Sequence, residues 1–280
     1  MDTLNIASTA TLNDGKAMPL LGLGVFQMTD AAECLRAVQA ALDAGYRHID
    51  TAVGYQNEAG VGEALAQAGV PREEIFVTTK LPHTVGDPER TRATVESSLR
   101  KLRSEYIDLY LIHWPVRGGG TETAYETLQT LREEGKLRSI GVSNFTRRRF
   151  VEQFFKRVQE RPAVNQIERH PFYANGDTVA YCRDEGIQLE AYSPLARAEA
   201  MDDPTLKEIA QARGKTVAQI MLRWQLQQGV VVIPKSARPE RIAENADLYG
   251  FALSDEEMAR IDALERQASV IGWRPEDDWF

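Results

Sequence analysis

The chain has 280 residues, 43% of them hydrophobic and 26% charged, close to the averages for soluble globular proteins. That composition supplies a packed core and excludes disorder as the main state. Acidic residues number 41 against 33 basic ones, a formal charge of −8, which gives no general attraction to nucleic acid or anionic membranes. No apolar run approaches the ~18 residues of a membrane span. Met1-Asp2-Thr3-Leu4-Asn5 lacks the basic start and apolar stretch of a secretory signal. Cys34 and Cys182 stand far apart and outside any CxxC or Cys/His spacing. Neither a disulfide framework nor a thiolate metal site is expected; buried free thiols in a reducing cytoplasm are.

In chain order, the Asp14-Gly15 turn between the alternating residues of Thr11–Met18 predicts an N-terminal hairpin. Eight β-type runs follow: Leu21–Val25, Arg47–Asp50, Ile75–Lys80, Ile107–His113, Ser139–Val142, Val164–Ile167, Ile187–Tyr192 and Val230–Ile233. Most begin about 23 to 32 residues after the previous one, the length of a strand–helix unit. The last interval is longer and has room for an additional helix. Helical patterns fill the intervals and the C-terminal end. They include Ala31–Ala44 behind the capping residue Asp30, Asp87–Leu102, Asp202–Arg213 before Gly214, Thr216–Gln228, Pro239–Leu248 and Ser254–Gln267.

Strict alternation means parallel strands, either in an open doubly wound sheet or in a closed (β/α)8 barrel. The count of eight favours the barrel, with the hairpin as a plug on its bottom. Gly22-Leu23-Gly24-Val25-Phe26-Gln27 has Gln27 where a dinucleotide fingerprint needs its third glycine, so it reads as a tight turn in a first strand. Without a linker, repeat or low-complexity tract, residues 1–280 read as a single domain.

Chemistry in such a barrel sits at the C-terminal ends of the strands. Those ends carry Asp50, with Tyr55 in the following loop, then Lys80, His113-Trp114, Ser143-Asn144, Asn165-Gln166, Tyr192-Ser193 and Lys235-Ser236. Taken singly, each has an ordinary reading: Asp50 as a cap, Lys80 as a solvated strand end, His113 as a core histidine. Together they form an acid–base set. A tyrosine, with a pKa of ~10, is a weak proton donor near neutrality. A lysine ammonium beside it lowers that pKa, and an aspartate keeps the lysine charged. A histidine can then donate a hydrogen bond to a substrate oxygen. The set suits protonation of a carbonyl oxygen while another group delivers a hydride.

These stretches resemble the aldo-keto reductase superfamily along nearly the whole chain. The matching motifs are Gly45–Ala52 with Tyr55 and Asn57-Glu58, Thr78–Leu81, Asp108–Pro115, Ile140–Phe145, Asn165–Glu168, Ala191–Leu195 and Ile233–Ser236. The short loop after the fourth strand is similar to that of bacterial 2,5-diketo-gluconate reductases and methylglyoxal reductases. The resemblance implies a catalytic tetrad of Asp50, Tyr55, Lys80 and His113, with Tyr55 as general acid. It implies that Ser143, Asn144 and Gln166 hold the carboxamide of NADPH, with Tyr192 stacked under the ring. Ser193 and Leu195 would contact the diphosphate. Lys235, Ser236, Arg238 and Arg241 would surround the 2′-phosphate, and Glu244 and Asn245 would meet the adenine.

Phe26 and Trp114 are candidates for the apolar wall of a substrate pocket, though ordinary packing also suits them. Pro82 stands where relatives often carry a tryptophan facing the substrate. His83 reads as a loop residue, and His48 and His170 as structural. The loop Arg117–Gly120 is short, and the aromatic tail Ile271–Phe280 is expected to cover the mouth, with docking on the barrel flank as the alternative. The leading expectation is therefore an NADPH-dependent oxidoreductase reducing small aldehydes, α-dicarbonyls or keto sugars. The expected partner is its small-molecule carbonyl substrate, without nucleic acid or membrane, and the chain is expected to act as a monomer. Two alternatives remain: a Schiff-base lyase using Lys80, disfavoured by Asp50 beside it, and a nucleotide-binding regulatory subunit with little turnover.

Overall fold

A computed structural model of the protein describes residues 4–272. The hairpin comes first, with β1 (Thr9–Thr11) antiparallel to β2 (Ala17–Pro19) and Gly15 at φ +82° in the turn, a conformation that glycine adopts without strain. The Asn13 side chain donates to the Pro162 carbonyl at 3.0 Å, and Met18 is fully buried. The hairpin thus lies against the N-terminal end of the strand that follows Pro162.

Eight parallel strands form the barrel: β3 (Leu23–Gly24), β4 (His48–Asp50), β5 (Phe76–Leu81), β6 (Ile107–Ile112), β7 (Leu137–Ser143), β8 (Val164–Glu168), β9 (Gln188–Tyr192) and β10 (Val231–Val232). Each pairs with the next in chain order. Parallel bridges Leu21↔Val232 and Gly24↔Lys235 join first to last and close the ring. The expected (β/α)8 architecture is what the chain adopts.

The seam also explains the glycine pair. A Cβ on Gly24 would lie 2.9 Å from the Ile233 carbonyl oxygen, and one on Gly22 would lie 2.6 Å from the His48 ring. These glycines let the seam close. They do not form the expected tight turn, which falls instead at Gln27, at φ +64°.

The helices are α1 (Ala31–Asp43), α2 (Glu58–Gln67), α3 (Pro88–Leu102), α4 (Thr121–Glu133), α5 (Arg147–Glu152), α6 (Gly176–Asp184), α7 (Pro204–Arg213), α8 (Val217–Gln227), α9 (Pro239–Ala246) and α10 (Asp255–Asp262). Asp30 caps its helix as expected, the predicted first residues Asp87, Thr216 and Ser254 prove to be N-caps, and the helix predicted from Asp202 is capped by Asp203. Asp30, Asp87, Asp203, Thr216 and Ser254 each accept a backbone N–H of the first turn, and the last two complete capping boxes. The extra helix expected before the last strand is α7. With α8 and α10 it surrounds a second apolar cluster that includes Leu206, Ile209, Trp224 and Ile261. Among the described residues, no helix is long and apolar enough to cross a membrane.

Candidate active site

Tyr55 lies on a short 3-10 turn, Val53–Tyr55, just beyond β4. Asn57 fixes this loop. Its amide donates to the Val25 and Met28 carbonyls at 2.8 and 3.2 Å, and its oxygen accepts the Thr51 hydroxyl at 2.6 Å. The loop carrying Tyr55 is thereby tied to the loop carrying Phe26, whose ring lies 4.9 Å from that of Tyr55.

Asp50 ends β4 and Lys80 points inward from the neighbouring β5, so adjacent strands bring the pair together. Lys80 is fully buried. Its Nζ donates to Asp50 Oδ1 at 2.6 Å, to Oδ2 at 2.8 Å and to the Thr51 carbonyl at 2.9 Å, and it lies 3.5 Å from the Tyr55 hydroxyl. Burial works against the Lys80 charge, but Asp50 and Tyr55 outweigh it and raise the pKa, so the amine stays protonated. Tyr55 departs from expectation. Burial raises its pKa above the usual phenol value, and the opposing pull of Lys80 does not overcome it. Asp50, on the other side of the ammonium, adds to the rise. The phenol is therefore neutral, the form that donates a proton.

His113 directly follows β6, with its ring 5.6 Å from Tyr55, edge to face. Burial first, then Lys80 and His83, hold its pKa well below the usual imidazole value. It is a neutral imidazole with one N–H to offer.

These groups open into a cavity of about 550 Å³. Tyr55, His113, Asn144, Gln166, Tyr192, Ser193, Leu195 and Lys235 line it, with Phe26 and Trp114 as the expected apolar walls. Tyr192 donates to Asn144 Oδ1 at 2.7 Å, and Asn144 donates to the His113 carbonyl at 2.9 Å. Gln166 spends its amide hydrogens on Asp50 Oδ2 (2.8 Å) and Glu190 Oε2 (2.7 Å), which leaves its side-chain oxygen, Oε1, as the group to accept a ligand N–H.

Ser143 is not brought to the cavity. It is fully buried behind it, donating to the main-chain carbonyl of Gln166 at 2.8 Å. Further out, the Ser236 hydroxyl accepts the Arg238 N–H at 3.1 Å. Arg238 caps α9 and Arg241 lies in its first turn; both are exposed, as is Lys235. None of the three forms an ion pair among the described residues. Three uncompensated cations at a helix N-terminus suit a phosphate. Farther along α9, Glu244 is exposed and accepts the Thr216 hydroxyl at 2.9 Å, while Asn245 is buried. No group of side chains among the described residues is placed to hold a metal ion.

Residues 20–266 match the model of the aldo/keto reductase family. The chain belongs to that family. It is 44% identical over 276 residues to a glyoxal reductase of Bacillus subtilis, covering 99% of both chains. It is also 44% identical over 265 residues to a 9,11-endoperoxide prostaglandin H2 reductase of Trypanosoma cruzi, covering 94% of this chain and 93% of that one. A crystal structure of a Bombyx mori aldo-keto reductase in complex with NADP superposes with a TM-score of 0.91 at 36% identity, covering 99% of this chain and 98% of that one. Family membership makes the protein an oxidoreductase of the kind that uses nicotinamide cofactors.

Sequence reasoning missed several members of this aldo/keto reductase site. Glu190 is fully buried beneath Gln166; an acid between Leu189 and Ala191 in the middle of a strand was the available signal. Arg197 and Ile271 also line the cavity. Ser193, Ala196, Arg197 and Ala198 take φ values of 47°, 49°, 46° and 72°, a strained stretch of the type that gathers at functional sites, and one without a sequence marker. Ile271 places the start of the C-terminal tail at the mouth; residues 273–280, with the expected aromatic cover, lie outside the described residues.

Proposed function

We propose that the protein reduces small aldehydes, α-dicarbonyls or keto sugars to alcohols with NADPH, with Tyr55 as the general acid. The observation that carries this reading is the Lys80 ammonium, held by both oxygens of Asp50 on one side and 3.5 Å from the Tyr55 hydroxyl on the other. The cofactor, when bound, supplies a hydride to the carbonyl carbon. Negative charge then grows on the carbonyl oxygen, and Tyr55 gives that oxygen its proton. Lys80 stabilises the phenolate left behind, and neutral His113 donates a hydrogen bond that orients the carbonyl.

The donor set suits the cofactor. Gln166 offers an acceptor oxygen and Tyr192 an aromatic face, and Lys235, Arg238 and Arg241 offer exposed positive charge for a phosphate. Phe26, Trp114 and Ile271 narrow the mouth with apolar walls, which suits a small carbonyl compound. The relative named a glyoxal reductase supports an α-dicarbonyl substrate. Free, buried Cys34 and Cys182 suit a reducing cytoplasm. A Schiff-base role for Lys80 is disfavoured, because a protonated amine with three close acceptors has no lone pair to attack a carbonyl.

Consumption of NADPH with glyoxal, methylglyoxal and diketo sugars tests the substrate class. Tyr55→Phe keeps the ring and removes the proton, so turnover should fall by about 10²- to 10⁴-fold while NADPH binding is nearly unchanged. Wild-type turnover in that variant would remove Tyr55 from the mechanism.

A further inference from the structure

Below the catalytic mouth the barrel interior holds a layer of polar groups sealed from solvent. Glu190, in the middle of β9, is fully buried there. Its Oε2 accepts the Gln166 amide at 2.7 Å, and the same nitrogen donates to Asp50 Oδ2 at 2.8 Å. Among the described residues its Oε1 has no hydrogen-bond partner, and it lies 3.6 Å from His48 Nε2. His48 offers no compensating charge. Burial holds its pKa at about 3, and its Nε2 faces the Thr78 hydroxyl at 3.0 Å. A buried acid with an orphaned oxygen is costly, and structural polar groups in a core are normally satisfied.

The charges facing Glu190 are few. From β4 come Asp50 and neutral His48, from β5 Lys80, and from the turn after β4 Tyr55. On the other side β10 places Val231 in register. Asp50 and Lys80 neutralise each other, so an ionised Glu190 leaves the layer with a net negative charge directly behind the amide that faces the cavity.

We propose that Glu190 is a positioning residue for the nicotinamide half of the site: it fixes the Gln166 amide from below and, when ionised, favours the oxidised cofactor over the reduced one. The inference rests on the nicotinamide-dependent reading above. The oxidised nicotinamide ring carries a positive charge that the reduced ring lacks, so a negative charge under Gln166 distinguishes the two. Burial and then Asp50 push the Glu190 carboxyl up to about 8, with Gln166 and Lys80 opposing. The group is therefore neutral below that pH and charged above it. By reciprocity, binding of the cationic form lowers the Glu190 pKa and releases a proton.

Dissociation constants for NADP⁺ and NADPH, from quenching of protein fluorescence between about pH 6.5 and 9.5, test this. A one-unit difference in the Glu190 pKa between the two complexes changes the affinity ratio about tenfold. In the wild type the preference for NADP⁺ relative to NADPH should rise by that factor with pH; in Glu190→Gln it should stay flat. Adenosine 2′,5′-bisphosphate, which has no nicotinamide, should show no difference between the two proteins. A wild-type step retained in Glu190→Gln, or an equal change with the bisphosphate, overturns the proposal. Should Glu190→Gln not fold, calorimetry of the wild type near pH 8 in buffers of different ionisation enthalpy decides. Proton release with NADP⁺ and not with NADPH supports the role, and equal release refutes it. If neither nucleotide binds, the functional reading falls and this inference with it. If both bind and carbonyls are reduced without the step, only the Glu190 role is lost.

Discussion

Replacing Lys80 by methionine separates what the buried ion pair does for catalysis from what it does for the fold. In the wild type, Lys80 Nζ makes two bonds to Asp50 and one to the Thr51 carbonyl, all within 2.9 Å. Without the ammonium, the carboxylate of Asp50, 2% exposed, keeps only the Gln166 amide. Removing one partner of a buried pair costs about 3–5 kcal/mol. At about 2 °C per kcal/mol, the low end for a chain this long, the melting temperature falls by roughly 6–10 °C. Burial already pushes the Asp50 carboxyl above its usual value with Lys80 and Gln166 opposing; in the variant only the Gln166 amide opposes that push. An acid whose folded pKa is raised binds more protons in the native state, so its contribution to stability is lost as pH rises through the folded value. Lys80→Met should therefore be more destabilised relative to wild type at pH 8 than at pH 5. Adding Asp50→Asn should recover part of the lost stability and none of the turnover. Asp50→Asn alone, which disturbs Lys80 only indirectly, should harm turnover less than Lys80→Met. Thermal melts at the two pH values, with NADPH oxidation alongside, measure all of this. A double variant no more stable than Lys80→Met would refute the account of Asp50 as an orphaned charge. A folded Asp50→Asn slower than Lys80→Met would reverse the assigned hierarchy.

Two further outcomes follow from the cofactor end and the seam. Arg241→Ala should weaken NADPH by about 10- to 150-fold, the loss of one charge-assisted hydrogen bond, and barely change NADH; the difference should shrink as salt rises. Equal loss for both nucleotides, in fluorescence titrations at two ionic strengths, would mean that Arg241 does not read the phosphate. Gly24→Ala should lower stability by about 1–3 kcal/mol, because its Cβ would meet the Ile233 carbonyl at 2.9 Å. An unchanged denaturant midpoint would show that the seam has slack.

The alternation of strand and helix was legible because most strands are short buried runs between amphipathic helices, several of them capped. The seam strands were the least regular. Leu21–Val25 and Val230–Ile233 shrink to Leu23–Gly24 and Val231–Val232, since glycine contacts and isolated bridges close the ring there. The helix predicted over Ser254–Gln267 ends at Asp262, because the Arg266 and Ala268 N–H groups turn away to the Phe172 carbonyl, a tertiary contact that local periodicity does not encode. At the mouth, polar residues at strand ends announced the site. The strand register hid that Ser143 faces Gln166, and the Tyr55 pKa depends on how burial and Asp50 together outweigh Lys80, which no spacing reveals.

The seam has a consequence for how the protein is made. Its two edges, Leu21–Gly24 and Val232–Lys235, come from opposite ends of the chain, so no ring can close while the ribosome is still adding the last strand. Until then the nascent sheet carries open edges, one at β3 and one at the newest strand, and each is a template for pairing with another chain. Closure also depends on contacts of high sequence separation, which form slowly. The last strand to emerge is the one followed by Lys235, Ser236, Arg238 and Arg241. The step that seals the barrel is thus also the step that completes the proposed phosphate site, and binding competence should arrive only with the finished ring.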